Sequence, residues 1–207
     1  RTRLQRVSLL AVEKETPMQS QYREFREKLS PGTVLFFRLG DFYEVFGEDA
    51  VVAAKVLGLT LTKRHETPMA GLPHHAAPAY VNRLLAAGWK VAICDQLEAP
   101  VAGKLVRRGL TRILTPGTAL EDSQLDSRRG NYLAAISWDK QGWHAAWLDV
   151  STADFRLATD ASPARLLPLL HSVSPREIIL LEGLEPPAEH REALEVFLLG
   201  RAVSRLP

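Results

Sequence analysis

Cysteine is nearly absent from this sequence of 207 residues. The one cysteine, Cys94, lies in the apolar run WKVAICDQL, so the chain forms no internal disulfide, and a buried inert thiol is a better interpretation than a nucleophile. No uninterrupted apolar run approaches the roughly 20 residues that a membrane-spanning helix needs. The low cysteine content therefore fits a reducing cytosol.

Several chemical signatures are missing as well. The sequence contains no glycine-rich phosphate loop and no Walker sequence. His65, His74 and His75 resemble zinc ligands at first sight. However, HETPM lacks the second histidine of HExxH, and Pro68 is incompatible with the helix that this motif needs. The sequence thus predicts loop histidines and no metal site.

Acidic and basic residues are unevenly distributed along the chain. Residues 1–117 carry 17 Lys and Arg against 11 Asp and Glu, a net charge of +6, whereas residues 118–207 carry 9 against 13, a net charge of −4. The first region can therefore approach a polyanion, and the second is poorly suited to lie along one. Because unrelated domains often differ this much, the asymmetry alone favours a nucleic-acid partner only modestly.

The first region predicts a mixed sheet with helices. Thr16 followed by Gln19 forms a capping box that begins a helix, with Pro17 at the first helical position. Two prolines and a glycine in HETPMAGLPHH (65–75) predict a loop. The predicted elements are helices over 16–29, 48–58 and 75–88, and strands over 33–39, 59–64, 89–97 and 105–115.

Turn-forming and charged residues in PGTALEDSQLDSRRG (116–130) predict a connection between two domains. Beyond it, three antiparallel strands followed by helix, strand and helix is the order of a ribonuclease H-like α/β fold. The predicted strands are 131–139, 142–152, 153–159 and 176–183, and the predicted helices are 162–173 and 187–200. We divide the chain into a domain over 1–117, a linker over 118–130 and a domain over 131–207.

The stretch RLGDFYEVF (38–46) places a carboxylate two residues after an aromatic side chain. In an extended segment, Phe42 and Glu44 point the same way and Tyr43 points the other way. A half-buried strand should separate apolar from polar side chains more cleanly. Either Glu44 lies at the end of an edge strand in water, which the pattern alone favours, or Phe42 and Glu44 are presented together to a partner.

Two other function classes stay open at this level. Asp149, in WLDVST, stands on a strand where ribonuclease H-like nucleases place a metal-binding carboxylate, with Asp154 nearby. Two-metal catalysis needs more carboxylates from other elements, and REIILLEG offers only Glu182 at its end. A structural Asp149 is therefore the better interpretation. The other class is a protein-interaction module.

Several short motifs resemble those of one family in their order and spacing. They are TPMQSQY, FFRLGDFYEVFGEDA, LTLTKR, TPMAGLPHHA, VAICDQLE, LVRR and TRILTPGT. Over about residues 16–183, the chain resembles the amino-terminal part of the MutS family of DNA mismatch-repair proteins. Each motif alone is modest, but the ordered set is specific. The segment between Arg64 and Pro68 is shorter than in many members.

The resemblance implies a mixed-sheet mismatch-recognition domain up to about residue 117 and a ribonuclease H-like, non-catalytic connector domain from residue 131. It implies that this chain is not an enzyme and has no cofactor of its own, because the family's ATPase, with its ATP and Mg, belongs to other domains. The implied partners are mismatched or looped double-stranded DNA, a second copy in a homodimer of full-length protein, and a MutL-type protein that binds the connector. The implied location is the bacterial cytosol, without membrane association.

The resemblance also implies residue roles. The family's Phe-x-Glu motif falls on Phe42 and Glu44, so Phe42 looks like a wedge that enters the minor groove beside the mispaired base, and Glu44 hydrogen-bonds that base. Basic residues at family positions would neutralise phosphates, and small or apolar residues would shape the surface around the wedge. The basic residues are Lys63, Arg64 and Arg108, and the surface residues are Leu39, Met69, Gly71 and Pro73.

Overall fold

The structure is a computed structural model that describes residues 16–64, 66–101, 103–118 and 130–206. His65 and the middle of the predicted linker, residues 119–129, lie outside the described residues. The described residues form two mixed sheets with helices, which confirms the predicted α/β fold class. No helix within these ranges is long and apolar enough to cross a membrane.

The first sheet contains six strands. Its strands are β1 (Thr33–Leu39), β2 (Phe42–Phe46), β3 (Thr62–Arg64), β4 (Thr67–Pro73), β5 (Lys90–Gln96) and β6 (Arg108–Leu114). The helices beside it are α1 (Pro17–Glu27), α2 (Gly47–Leu57) and α3 (Ala77–Ala86), with a short 3-10 helix (His74–Ala76) before α3. The strand order is β3-β4-β2-β1-β5-β6, in which β1 and β5 are parallel and the other neighbours are antiparallel.

Local sequence signals set the predicted helix boundaries. The hydroxyl of Thr16 accepts a hydrogen bond from the amide of Gln19, and the side chain of Gln19 accepts one from the amide of Thr16. The helix α2 ends at Gly58, whose φ of 69° lies in the left-handed region that glycine adopts easily. The predicted capping box and the predicted glycine stop are both confirmed.

Helices cover the two faces of the first sheet unequally. On one face, α2 and α3 pack over a core that includes Phe36, Val45 and Leu72. On the other face, α1 packs over Leu35 and Phe37 and reaches β5. Apart from the buried Phe46, the part of this second face that lies over β2, β4 and β3 carries exposed and partly exposed residues.

The prediction of a loop over 65–75 is wrong, because Thr67–Pro73 form β4. Residues 69–73 of this strand pair with β2, and residues 67–69 pair with β3. Its two prolines, Pro68 and Pro73, stand near the strand ends, where a missing N–H is tolerated. Pairing from both sides thus overrides the local turn signal. The strands β3 and β6 are also shorter than predicted.

The second sheet contains five strands. They are β7 (Tyr132–Asp139), β8 (Gly142–Asp149), β9 (Asp154–Asp160), β10 (Glu177–Leu181) and β11 (Ala202–Leu206), and the helices are α4 (Pro163–Val173) and α5 (Arg191–Leu198). The strand order is β11-β10-β7-β8-β9; β7, β8 and β9 form the predicted antiparallel meander, and β10 is parallel to β7. The edge strand β11 was not predicted.

The residues on either side of the predicted linker contact the second sheet. The amide of Gly117 donates a hydrogen bond to Glu177 Oε2 at 3.1 Å, and the amide of Asn131 donates one to Asp149 Oδ2 at 3.0 Å. A Cβ at position 117 would lie 2.9 Å from both Leu133 Cδ1 and the Cβ of Glu177. Glycine is therefore required for this close contact.

Candidate nucleic-acid interface

A tight turn places Phe42 at the start of β2. Gly40 and Asp41 connect β1 to β2, and Leu39 pairs with Phe42 across the turn. Gly40 has a φ of 58°, which a non-glycine residue adopts with strain. The amide of His74 donates to the carbonyl of Asp41 at 2.9 Å, so the turn is tied to the end of β4.

Strand register brings most of the predicted site residues onto one face. Glu44 of β2 opposes Gly71 of β4. Arg64 of β3 opposes Thr67 of β4. Directly opposed side chains point to the same side of a sheet, as do residues two apart along a strand. The resulting surface, which we call the open face, consists of Leu39, Phe42, Glu44, Arg64, Met69, Gly71 and Pro73.

Phe42 is the most exposed apolar side chain of the open face, with a relative exposure of 50%. Phe46 points to the same side but is buried, and its ring packs edge-on against Tyr22 of α1 with a centroid distance of 4.9 Å. Tyr43 and Val45 point to the opposite side and are buried in the core. The helix α1 thus covers one end of β2 and leaves Phe42 exposed at the other.

Glu44 and Arg64 form an ion pair on the open face. Arg64 Nη1 donates to Glu44 Oε2 at 2.7 Å. The side chains are 19% exposed for Glu44 and 41% exposed for Arg64, so the carboxylate is the better shielded partner. Gly71, directly opposite Glu44, adds no side chain to the surface beside it. A Cβ there would meet only the carbonyl oxygen of Tyr43 within 4 Å, at 3.8 Å.

Tyr43 supports β2 from the buried side and was not among the predicted site residues. Its hydroxyl donates to Asp95 Oδ1 at 2.6 Å, and the guanidinium of Arg38 lies 5.6 Å from its ring centroid. Burial, and then the hydrogen bond to Asp95, raise the pKa of Tyr43 to about 12, so the hydroxyl remains a donor at neutral pH. Strand alternation, which places Phe42 and Glu44 on one face, also indicates that Tyr43 lies on the other face, from which it supports β2.

Lys63 lies on the opposite side of the sheet from the open face. It opposes Pro68, whereas its neighbour Arg64 opposes Thr67, one residue away on β4. The ammonium of Lys63 lies 3.3 Å from the carboxylate of Glu66, and both side chains are largely exposed. Lys63 therefore adds an exposed positive charge at the edge strand β3, on the side of the sheet opposite the open face.

Arg108 is buried between the first sheet and α1, with a relative exposure of 9%. Its Nε donates to the carbonyl of Arg38 at 2.7 Å, and its Nη1 donates to Gln21 Oε1 at 2.8 Å. The guanidinium also lies 4.9 Å from the ring centroid of Phe37. These contacts use Nε and Nη1 of Arg108 inside the domain and argue against the prediction that Arg108 is presented to a phosphate.

Asp149, the candidate nuclease residue, is an internal hydrogen-bond acceptor. Besides the amide of Asn131, the amide and hydroxyl of Ser151 donate to its other oxygen at 2.9 and 2.6 Å. Burial raises the pKa of Asp149, but these hydrogen bonds outweigh it and hold the pKa below its ordinary value. Within the described ranges, no three His, Cys, Asp or Glu side chains are grouped so that they could hold a metal ion.

Two consecutive domain models of one family match this chain. Residues 16–123 match MutS domain I, and residues 131–204 match MutS domain II. The chain belongs to the MutS family. The domain I match contains the whole first sheet with the open face, and the domain II match contains β7 to β10 with α4 and α5.

Curated relatives named DNA mismatch repair protein MutS are similar to the chain over most of its length. The relative from Myxococcus xanthus is 45% identical over 197 residues, which are 93% of this chain and 21% of that protein. The relative from Flavobacterium psychrophilum is 46% identical over 81% of this chain and 20% of its own length. The relative from Syntrophobacter fumaroxidans is 47% identical over 84% of this chain and 20% of its own length. The chain thus spans about a fifth of these MutS proteins.

Proposed function

We propose that this chain recognises mispaired or looped bases in double-stranded DNA, as part of a mismatch-repair protein. The observation that carries the proposal is that Phe42, half exposed, and Glu44 point the same way from a strand whose other side is buried. The net charge of +6 over residues 1–117 favours approach to DNA. The names of the relatives support mismatch repair as the process.

Phe42 acts as the wedge in this proposal. An aromatic side chain inserted from the minor groove partly unstacks a base step and kinks the duplex, at a cost of about a few kcal/mol per step. The cost is smaller at a mismatch, where stacking and pairing are already weak. The ring restores part of the lost stacking. The preference for a mismatch thus arises from the deformability of the DNA and does not depend on its sequence.

Glu44 contributes discrimination in two ways. Its carboxylate accepts a hydrogen bond from an N–H of the displaced base. It also repels the phosphates of a duplex that keeps its regular geometry, so it disfavours paired DNA. Both effects require the carboxylate to point out of the same face as Phe42, and the pairing of Glu44 with Gly71 on β4 supports this direction.

The remaining contacts are positional. Lys63, on the edge strand β3, supplies positive charge that attracts the DNA phosphates. The surface beside the wedge is shaped by Leu39, Met69, Gly71 and Pro73. Arg108 is not included among the DNA contacts, because its guanidinium is used inside the domain. It supports the end of β1 that leads into the turn before Phe42.

The second sheet belongs to a connector in this proposal. Residues up to 117 recognise DNA, and residues 118–130 link the two domains. Residues 131–207 provide a contact surface for a MutL-type partner and for the other domains of the complete protein. By the complete protein we mean the full polypeptide that carries this sequence. ATP and Mg, and the homodimer interface, belong to those other domains. The connector is not proposed as a nuclease, because the oxygens of Asp149 are occupied by internal donors.

The test compares two exposed phenylalanines in the complete protein. Phe42→Ala should weaken binding to G·T and unpaired-T duplexes by about 5- to 150-fold, which corresponds to a base–aromatic stack of about 1–3 kcal/mol. Phe155→Ala is the matched control, because Phe155 is 58% exposed on β9 of the second sheet. Binding to matched duplex should change little in either variant.

Three results would contradict the proposal. Equal losses for the two alanine variants would remove the wedge role from Phe42. A complete protein without salt-sensitive DNA binding would favour a protein-interaction module. Mg-dependent cleavage of DNA or RNA–DNA hybrids that Asp149→Asn abolishes would favour a nuclease.

A further inference from the structure

The ion pair on the open face joins strands that are not neighbours. Glu44 lies on β2 and Arg64 on β3, and β4 runs between them. Arg64 therefore extends across a whole strand to place Nη1 2.7 Å from Glu44 Oε2. Such a reach orders a long side chain, which otherwise keeps its rotamer freedom at an exposed strand edge.

The surface of β4 permits this reach. The residues of β4 on this side of the sheet are Thr67, Met69, Gly71 and Pro73, and the one directly opposite Glu44 is the glycine. A Cβ at position 71 would make only an ordinary contact at 3.8 Å, and its φ is not in the left-handed region. The backbone of β4 therefore does not require glycine here, and the absence of a side chain at position 71 leaves the surface directly opposite Glu44 open.

The two charged side chains of the pair differ in their exposure to solvent. Glu44 is the less exposed partner, and the charge-assisted hydrogen bond from Arg64 Nη1 holds its partly buried carboxylate in one direction more firmly than water would. Arg64 therefore holds the carboxylate of Glu44 in one direction.

We infer that Arg64 is a positioning residue for mismatch discrimination: it holds the carboxylate of Glu44 in one direction on the open face, and it is not primarily a phosphate ligand. This inference rests on the proposed function. Its neighbour Lys63 points to the other side of the sheet and pairs with Glu66, so it does not replace Arg64. The two adjacent basic residues thus have different roles.

A double-mutant cycle in the complete protein tests the inference. The proteins are wild type, Arg64→Gln, Glu44→Gln and the double variant, each measured for affinity to matched and G·T duplexes at several salt concentrations. Arg64→Gln should lower the ratio of mismatch to matched affinity by about tenfold when Glu44 is present, and by less than about twofold when Glu44 is replaced. Arg64→Lys, which keeps the charge but replaces the planar guanidinium by an ammonium, should restore only part of the ratio.

Lys63→Gln is the matched control, because it removes a positive charge one residue away on the other side of the sheet. It should weaken binding to both duplexes alike. The inference fails if Arg64→Gln behaves in the same way, with equal losses on both duplexes and a salt slope reduced by about one unit whether or not Glu44 is present. In that case Phe42→Ala would still abolish discrimination, and the proposed function would stand. A wild-type protein that does not discriminate would overturn both.

Discussion

The two sheets use carboxylates in opposite ways. In the first, Glu44 is bound by a flexible side chain, that of Arg64, on a face open to solvent. In the second, the oxygens of Asp149 accept hydrogen bonds from backbone amides and a neighbouring hydroxyl. A carboxylate held by backbone amides is fixed within its domain, whereas one held by a side chain can exchange its partner for a ligand. The partner, more than the residue type, therefore decides whether an acidic residue belongs to a site.

The two sheets also each expose a phenylalanine. Phe42 stands at a strand start in a region with net positive charge, beside Glu44 and the side-chain-free Gly71. Phe155 stands on the edge strand β9, on the same face as the exposed Leu157, in a region with net negative charge. Exposure alone does not distinguish them. The surrounding charge and the neighbours on the same face favour Phe42 over Phe155 as the nucleic-acid contact of the proposed function.

The largest expected effect is a difference in stability between alanine variants of Phe42 and of the core residue Phe37. Phe37 is fully buried and opposes Glu44 across the β1–β2 pair. Phe37→Ala should lower the free energy of unfolding by about 3–5 kcal/mol, because it leaves a cavity. Phe42→Ala should lower it by less than about 1 kcal/mol, since half of the ring is already in water. Denaturant unfolding of both variants measures the difference, and a comparable loss in the two would return Phe42 to the core.

The next effect concerns the fixed carboxylate of the second sheet. The pKa of Asp149 is lowered in the folded chain, so its ionised form stabilises the fold above the unfolded-state pKa, and this contribution is lost as pH falls through the folded-state pKa. Asp149→Asn should lower the free energy of unfolding by about 1–3 kcal/mol at neutral pH, because an amide nitrogen then faces amide donors. The variant should also show a flatter decline in stability towards acid. Denaturation curves between pH 7 and pH 3 test both statements, and an unchanged acid dependence would show that Asp149 is not the titrating group.

A pair of glycines gives a smaller and more selective contrast. Gly117→Ala should destabilise the chain by about 1–3 kcal/mol, because its Cβ would overlap Leu133 and Glu177. Gly71→Ala should change stability by no more than about 0.5 kcal/mol, since the added methyl meets only one atom within 4 Å. In the complete protein, however, Gly71→Ala should reduce the preference for mismatched DNA, because the methyl would project from the position directly opposite Glu44 on the open face. Normal discrimination in that variant would show that space at position 71 is unimportant.

Much of the fold could be predicted from local signals. The capping box at Thr16, the glycine stop at Gly58 and the alternating strands of the second sheet were all confirmed, because each depends on neighbours in sequence. Strand β4 was missed, since its prolines and glycine are locally typical of a turn and only pairing with β2 and β3 makes it a strand. The edge strand β11 likewise depends on its pairing with β10.

The site could be predicted in part. Strand alternation correctly placed Phe42 and Glu44 on one face, but no sequence pattern revealed that Arg64 would reach Glu44 across β4. Nor could sequence distinguish Arg64 from Arg108, because burial beneath α1 is a property of the packed domain. Long-range contacts of single side chains are the part of a site that requires a structure.

The smallest expected effect contrasts charge in the two regions. Lys63 on β3 and Lys140 in the turn between β7 and β8 are both exposed. Neutralising one phosphate contact reduces the slope of log affinity against log salt by about one unit and weakens matched and mismatched DNA alike. We therefore expect this change for Lys63→Gln in the complete protein and none for Lys140→Gln. Stability should hardly change in either variant, since the pair between Lys63 and Glu66 is exposed to solvent and such pairs contribute little. Salt titrations of binding from low to physiological ionic strength measure the slopes, and equal slopes for the two variants would show that the region with net positive charge does not attract DNA through Lys63.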